Sequence, residues 1–287
     1  MTEPYRRYPI RLAELDVWRA SNQTTLEEAR QRFVQFVVLE CLSAANVAKD
    51  LAFKGGNALR FGYGYPRSTF DLDFTSTVPE EESATIRRVV DDAMRAGSAD
   101  FGIKCKVSSV ARNPANLERT RPTFGIKVGY SFPGDRHFVD FLSPERPASR
   151  VVPLDISFND VVCETVTVSL GDTLDVRIVI CTLEDIVAEK LRSILQQAIR
   201  NRTRPQDVYD VAHALRSGQL DETKIRTYLF VKCAARDIVP TIDGFSEDAR
   251  VRAELGYADL GIEPASAVIP FDTAWADVLG LVHRLLA

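Results

Sequence analysis

The residues best placed to do chemistry in this chain are Asp71 and Asp73, within Thr69-Phe70-Asp71-Leu72-Asp73-Phe74-Thr75-Ser76-Thr77. The alternation reads as a β-strand, with Phe70, Leu72 and Phe74 on one face and both aspartates on the other. Two carboxylates on one strand face repel unless a cation lies between them. A hard divalent ion with oxygen ligands, Mg²⁺ or Mn²⁺, is the natural resident. In phosphoryl transfer such an ion orients a nucleoside triphosphate, neutralises developing charge and lowers the pKa of an attacking hydroxyl. A bare Asp-x-Asp is a weak signal, so its setting decides what it means.

That setting begins at Phe53-Lys54-Gly55-Gly56-Asn57-Ala58-Leu59, a strand end followed by paired glycines and a new helix. Glycines before a helix let backbone N–H groups approach a phosphate, and the helix N-terminus adds a favourable field. Arg67 and the hydroxyls of Ser68 and Thr69 would line the same pocket. A third carboxylate is expected on the strand Val151–Phe158. There residues 152, 154, 156 and 158 are apolar, and Asp155 and Ser157 face the other way. Asp155 suits a base that activates an acceptor hydroxyl, and Asp140, in His137-Phe138-Val139-Asp140-Phe141, is the competitor.

Further along, Lys190 sits in an apolar helix with Ile186, Val187, Leu191, Ile194 and Leu195, where a lone lysine ordinarily snorkels to solvent. In the helix from Pro205, the residues Val208, Val211, Ala212 and Leu215 form an apolar stripe. Asp207 lies roughly 90° from its centre and Asp210 roughly 150°. Asp207 is therefore expected at the packed seam and Asp210 toward solvent. A carboxylate at Asp207 also stabilises the first turn after a proline at N1.

Together these residues resemble the AbiEii/AbiGii toxin family of nucleotidyltransferases, whose signature runs K-G-G-x-A-L, a gap, then R-x-[ST]-x-D-L-D-F. Arg67, Thr69, Asp71, Leu72, Asp73 and Phe74 match in order. The likeness continues at Glu189-Lys190-Leu191 and at Arg204-Pro205-Gln206-Asp207-Val208-Tyr209-Asp210, and covers roughly residues 50 to 215. The family often has Arg directly before Asp, so the spacing of Arg204 and Asp207 leaves open whether Asp207 or Asp210 is the equivalent residue. The resemblance implies a polymerase-β-like fold, Mg²⁺, and a nucleoside triphosphate. It also implies a toxin paired with a cognate antitoxin, acting on RNA at the 3′ acceptor end of tRNA and so blocking translation. On this reading Asp71, Asp73, Asp155, Lys190 and Asp207 are catalytic, with the metal on Asp71 and Asp73. Lys54, Gly55, Gly56, Arg67, Ser68, Thr69, Lys190 and Asp210 contact the nucleotide.

The elements that must position these groups divide in two. An α/β (α+β) nucleotidyltransferase core with a mixed sheet is expected over 1–180, opening with a helix from Thr25 to Asp50. Strands are expected at Ile103–Val110, Phe124–Phe132, Val151–Phe158 and Val176–Cys181, with a surface helix at Pro79–Ala96. A helical domain follows over 181–287, with helices at Leu183–Ile199, Pro205–Arg216, Glu222–Asp237, Ser246–Tyr257 and Ala274–Leu286. A positive cleft between the halves would hold nucleotide and acceptor.

The chain has 287 residues, 45% of them apolar, enough for a substantial core. Five scattered cysteines without a CxxC pair argue against a disulfide framework or structural zinc, and three dispersed histidines against a His-rich metal site. No apolar run is long enough for a transmembrane helix and the N-terminus lacks a signal core, so a cytoplasmic protein is expected. Net charge is −4, poor on average for a nucleic-acid binder. Averages hide local fields, however. Between Lys190 and Arg216 lie Arg192, Arg200, Arg202 and Arg204, against only Asp207 and Asp210. Arg200, Arg202 and Arg204 are the expected RNA contacts. A second basic stretch runs from Arg112 through Arg119, Arg121 and Lys127 to Arg136. Two other readings use the same residues: a kinase-type phosphotransferase on protein or RNA, and a non-catalytic nucleotide-binding regulator.

Overall fold

The computed structural model describes residues 8–67, 69–80, 83–115, 121–170, 177–218, 220–263 and 266–287. The expected nucleotide contact Ser68 and the basic residue Arg119 lie outside them. In chain order the elements begin with α1 (Leu15–Ser21), α2 (Leu26–Ala44), β1 (Leu51–Lys54), α3 (Gly55–Tyr63), β2 (Leu72–Ser76) and α4 (Ser83–Gly97). Then come β3 (Lys104–Asn113), β4 (Thr123–Ser131), β5 (Val151–Ser157), β6 (Thr165–Ser169) and β7 (Arg177–Cys181). The remainder is helical: α5 (Leu183–Leu195), α6 (Gln197–Arg200), α7 (Pro205–Ser217), α8 (Glu222–Ala234), α9 (Glu247–Glu254) and α10 (Phe271–Leu286).

The chain packs as two units. The first comprises Met1–Gly64, Thr69–Asp160 and Val166–Ile180, and the second Tyr65–Ser68, Val161–Thr165 and Cys181–Ala287. The second thus takes in two short segments, 65–68 and 161–165, that precede the helical half in the chain.

In the first unit a seven-stranded mixed sheet runs in the order β3-β4-β5-β2-β1-β7-β6. β2 is antiparallel to β1 and parallel to β5, β4 is antiparallel to β3 and β5, and β1 is parallel to β7. A buried row of side chains crosses the sheet in register, from Ile180 through Phe53, Phe74 and Ile156 to Phe124. The rings of Phe53 and Phe74 stack at 4.9 Å. This row fixes the strand register, because a one-residue slip would move every one of these side chains to the other face. Helix α2 starts where Thr25 caps it, its hydroxyl accepting from the Glu28 backbone N–H at 3.1 Å. From Ala29 to Leu42 it is buried nearly all round. It ends at Ala44 rather than Asp50; a short 3₁₀ turn covers Ala48–Asp50.

In the second unit α5 packs on α7 and α8, and α10 packs on α7 and α8. Thr182 and Asp221 cap α5 and α8. The helix expected over 183–199 breaks at Gln196 and resumes as the single turn α6. Strand β6, Thr165-Val-Thr-Val-Ser, was not anticipated, although its alternating β-branched residues are a strand signal.

Phe70 departs from the expected pattern. It was assigned to the core face with Leu72 and Phe74, but it is 69% exposed while those two are fully buried. The regular strand starts only at Leu72, so the alternation does not extend back to Phe70.

Candidate active site

The sheet register that buries the aromatic row also sets the chemistry one residue further along. Lys54 pairs with Asp73, Asp73 with Asp155, and Asp155 with Gly125, on four adjacent strands. Paired positions share a face, with Cβ atoms about 5 Å apart. Asp155, the expected third carboxylate, therefore stands beside Asp73, and the three groups are half-exposed above a closed core. Gly125 leaves room on the flank, since a Cβ there would meet Asp155 Oδ1 at 3.4 Å.

Asp71 precedes β2 by one residue. Its Oδ1 accepts a hydrogen bond from Thr69 Oγ1 at 2.7 Å. Its charge is felt at Asp155, whose carboxyl is held above its ordinary value by burial first and by Asp71 second, with Lys54 opposing. The competitor Asp140 lies in the turns between β4 and β5, exposed and ion-paired to Arg146. Among the described residues the sheet joins Asp155, not Asp140, to Asp73.

Gly55 opens α3 with φ of +75°, and a Cβ there would fall 2.3 Å from Asp73 Oδ2. The glycine thus admits the aspartate as well as any phosphate, and the start of α3 lies against a carboxylate, which its dipole favours. Lys54 Nζ donates to Ser157 Oγ at 3.1 Å and pairs with Asp160 at 3.5 Å, so it stands among acceptors at the edge of the row.

The donor set on this face is all oxygen, the chemistry of a hard divalent cation. Among the described residues, no three His, Cys, Asp or Glu side chains converge tightly enough to form a metal cage. The pair Asp71 and Asp73, with Asp155 alongside, fits Mg²⁺ in its usual form, held by one or two carboxylates and completed by waters and substrate phosphates.

The second unit holds a different set. Arg67 Nε and Nη2 donate to the two carboxylate oxygens of Asp210, each at 2.8 Å. Lys190 Nζ donates to Asp207 Oδ1 at 2.9 Å and pairs with Asp210 Oδ2 at 2.7 Å. All four are buried. The assignment of Asp210 toward solvent is corrected: it is 1% exposed. The helical wheel assumed a single buried face, whereas Asp207, Val208, Tyr209, Asp210 and Val211 of α7 are all buried. Burial pushes the Asp210 carboxyl up, but Arg67 and Lys190 overcome it and hold it down at about 2. Burial likewise pulls Lys190 down, and Asp207 and Asp210 more than offset that, leaving it above its ordinary value. Lys190 does not snorkel to solvent.

The basic stretch around these residues is smaller than its composition implies. Arg192 pairs with Glu189, Arg216 pairs with Asp277, and Lys190 is internal. Arg200 and Arg202 are exposed and Arg204 partly so. Burial and then the neighbouring arginines Arg236, Arg192, Arg202 and Arg204 lower the Arg200 pKa, so these cations are gathered in space. Arg236, just past α8, was not anticipated. In the other stretch Arg112 pairs with Glu80. Sequence reasoning also missed the buried polar residues Arg32, Gln35 and Asn57, whose burial no local pattern announces.

A mixed sheet presents aspartates from adjacent central strands beside a Gly-Gly helix start. The family model "Nucleotidyl transferase AbiEii toxin, Type IV TA system" matches residues 37–269. The chain belongs to this family and is a nucleotidyltransferase toxin of the type IV toxin–antitoxin class. Solved structures share the fold. MenT4, a nucleotidyltransferase toxin from Mycobacterium tuberculosis, is 16% identical with a TM-score of 0.61, covering 94% of this chain and 89% of its own. JHP933 from Helicobacter pylori is 13% identical with a TM-score of 0.52, covering 91% and 92%. No curated protein sequence matches the chain. No helix among the described residues is long and apolar enough to cross a membrane.

Proposed function

We propose that this protein moves a nucleoside monophosphate from a nucleoside triphosphate to an RNA acceptor, the 3′ end of tRNA, and thereby blocks translation in the cytoplasm. The observation that carries the reading is the in-register row of Asp73 and Asp155 with Asp71 beside it. Three carboxylates there lie close enough for one to raise the proton affinity of another, the condition a divalent cation relieves. When bound, Mg²⁺ on Asp71 and Asp73 would neutralise charge on the α-phosphate and favour the ionised acceptor hydroxyl.

The chain's own residues supply the rest. Asp155, its carboxyl raised from its ordinary value by burial and then by Asp71, takes the proton of the acceptor hydroxyl; a raised pKa brings a carboxylate nearer the optimum for a general base. Gly55 and Gly56 bring backbone N–H groups at the start of α3 to the phosphates. Lys54, Thr69, Ser68 and Arg67 complete the nucleotide contacts. Lys190 contacts the triphosphate, with Asp207 and Asp210 keeping it protonated and oriented. Arg200, Arg202 and Arg204 hold the acceptor's phosphate backbone, and a cognate antitoxin restrains the enzyme.

Incubation with each α-labelled triphosphate and total RNA tests the reading, with a parallel set labelled at the γ-phosphate. Label should pass to an RNA band from the α position only, with pyrophosphate released. Transfer from the γ position would establish a kinase-type reaction instead.

A further inference from the structure

The segment that carries Asp71 into the site is irregular backbone, and the groups that hold it come from two helices. On α2, Arg32 Nη1 donates to the Thr69 carbonyl at 2.8 Å. Gln35 Nε2 donates to the carbonyls of Thr69 and Phe70, each at 3.0 Å. On α3, Asn57 Nδ2 donates to the Asp71 carbonyl at 2.6 Å and reaches the Thr69 carbonyl at 3.4 Å. Three consecutive carbonyls, 69 to 71, are thus drawn inward by side-chain donors instead of a strand partner.

The two donors on α2 are themselves fixed. Arg32 Nη1 also donates to Gln35 Oε1 at 2.9 Å, which orients the Gln35 amide. Arg32 Nη2 lies 3.6 Å from Glu28 Oε1. Arg32 and Gln35 are one turn apart on one face of α2, and Arg32, Gln35 and Asn57 are each no more than 1% exposed. Burying such groups is costly without hydrogen-bond partners, and the carbonyls of residues 69–71 supply partners to one nitrogen of each. The same arrangement accounts for Phe70, which is turned out to solvent while its carbonyl is held from within.

We propose that Arg32, Gln35 and Asn57 are positioning residues that set the Asp71 carboxylate against Asp73, and so determine the affinity of the site for its divalent cation. The proposal rests on the reading of Asp71 and Asp73 as metal ligands. All three side chains are buried beneath the segment rather than on the exposed carboxylate face. They act through the carbonyls of residues 69–71, and the Thr69 hydroxyl then holds Asp71 Oδ1. Support of this kind around metal ligands ordinarily changes affinity or activity by about 10–100-fold when removed.

The test is direct Mn²⁺ binding by electron paramagnetic resonance, in the presence of a non-hydrolysable triphosphate, alongside activity as a function of Mn²⁺. Gln35→Met keeps the volume and removes the donor. It should raise the half-saturating Mn²⁺ concentration roughly tenfold or more, with most activity restored at saturating Mn²⁺. Arg32→Lys, a milder change that serves should Gln35→Met fail to fold, should shift binding the same way by less, and Arg32→Met by more. A purely structural role would lower the unfolding midpoint and leave Mn²⁺ affinity of the folded fraction unchanged. If folded Gln35→Met or Arg32→Lys binds Mn²⁺ as wild type does, while Asp73→Asn has lost it, the proposal is overturned and the metal reading stands. A wild-type chain that holds no Mn²⁺ overturns both.

Discussion

The two units handle charge in opposite ways. In the second, Arg67 and Lys190 meet Asp207 and Asp210 in a buried group of two cations and two anions. In the first, Asp73 and Asp155 share a half-exposed strand face with Asp71 just ahead of it, and Lys54 is the cation in register. A buried group must be neutral because uncompensated charge there is prohibitive. A half-exposed face tolerates an excess, and the excess is what a divalent ion and a polyphosphate can use. Sites that look alike in composition therefore differ in what they are for. One balances buried charge around Lys190 and Asp210, and the other gathers negative charge where a divalent cation would fit.

Removing charge should separate them. Asp71→Ala or Asp73→Ala should lower nucleotidyl transfer by roughly 10²-fold or more. Stability should hold or rise, since repulsion is relieved and strand-face carboxylates carry little packing. Activity at a tenth of wild type or above, from either variant, would remove these residues from the metal site.

Asp210→Ala should do the reverse. It removes the buried carboxylate that Arg67 and Lys190 both meet and should cost about 3–5 kcal/mol by urea denaturation. Because Asp210 titrates at about 2 in the folded chain, below the ordinary carboxylate value, its stabilising contribution is complete above that ordinary value. It is lost as pH falls toward about 2. Asp210→Asn should therefore flatten the acid limb of the stability profile in that window; an unchanged limb would assign acid unfolding to other groups.

Much of this was legible in the sequence. Asp73 could be placed on a strand because Leu72 and Phe74 flank it, whereas Asp71, expected on the same strand, lies one residue before it. Asp155 could be placed by the same pattern in β5, which the register then set beside Asp73. What failed did so for a physical reason. Phe70 extended the alternation by eye, but the backbone before Leu72 is held by Arg32, Gln35 and Asn57, long-range partners with no local signature. Asp210 was turned outward by a wheel that allowed one buried face, and a helix packed on several sides buries charge when Arg67 and Lys190 answer it. Gly55 was read for its backbone, and the neighbour that most requires it, Asp73, is 18 residues away in the chain.

Gly55→Ala sharpens the contrast from within the first unit. The left-handed φ and a Cβ 2.3 Å from Asp73 Oδ2 should cost roughly 1–3 kcal/mol and displace the carboxylate, so that activity falls more than stability. Wild-type activity in this variant would show that Asp73 does not need its present position. For Asp155, held above its ordinary value by burial and Asp71, activity should rise with pH as the group loses its proton. Asp155→Asn should remove that limb along with most of the rate. The smallest effect belongs to the surface. Changing Arg200, Arg202 and Arg204 together to Gln should weaken RNA binding and reduce its logarithmic salt slope by up to roughly 2, with triphosphate affinity unchanged. RNA modification at the wild-type rate across a salt series would leave those arginines as solvated surface.

The central claim is that the carboxylate row of Asp71, Asp73 and Asp155 carries the metal-dependent transfer. Pyrophosphate release tests it most directly, measured for wild type and Asp73→Asn with triphosphate and tRNA, with Mg²⁺ and after chelation. Release by wild type should stop on chelation and return with Mg²⁺ or Mn²⁺, and a folded Asp73→Asn should give none above background. Release that persists in chelator, or in Asp73→Asn at the wild-type rate, would contradict it.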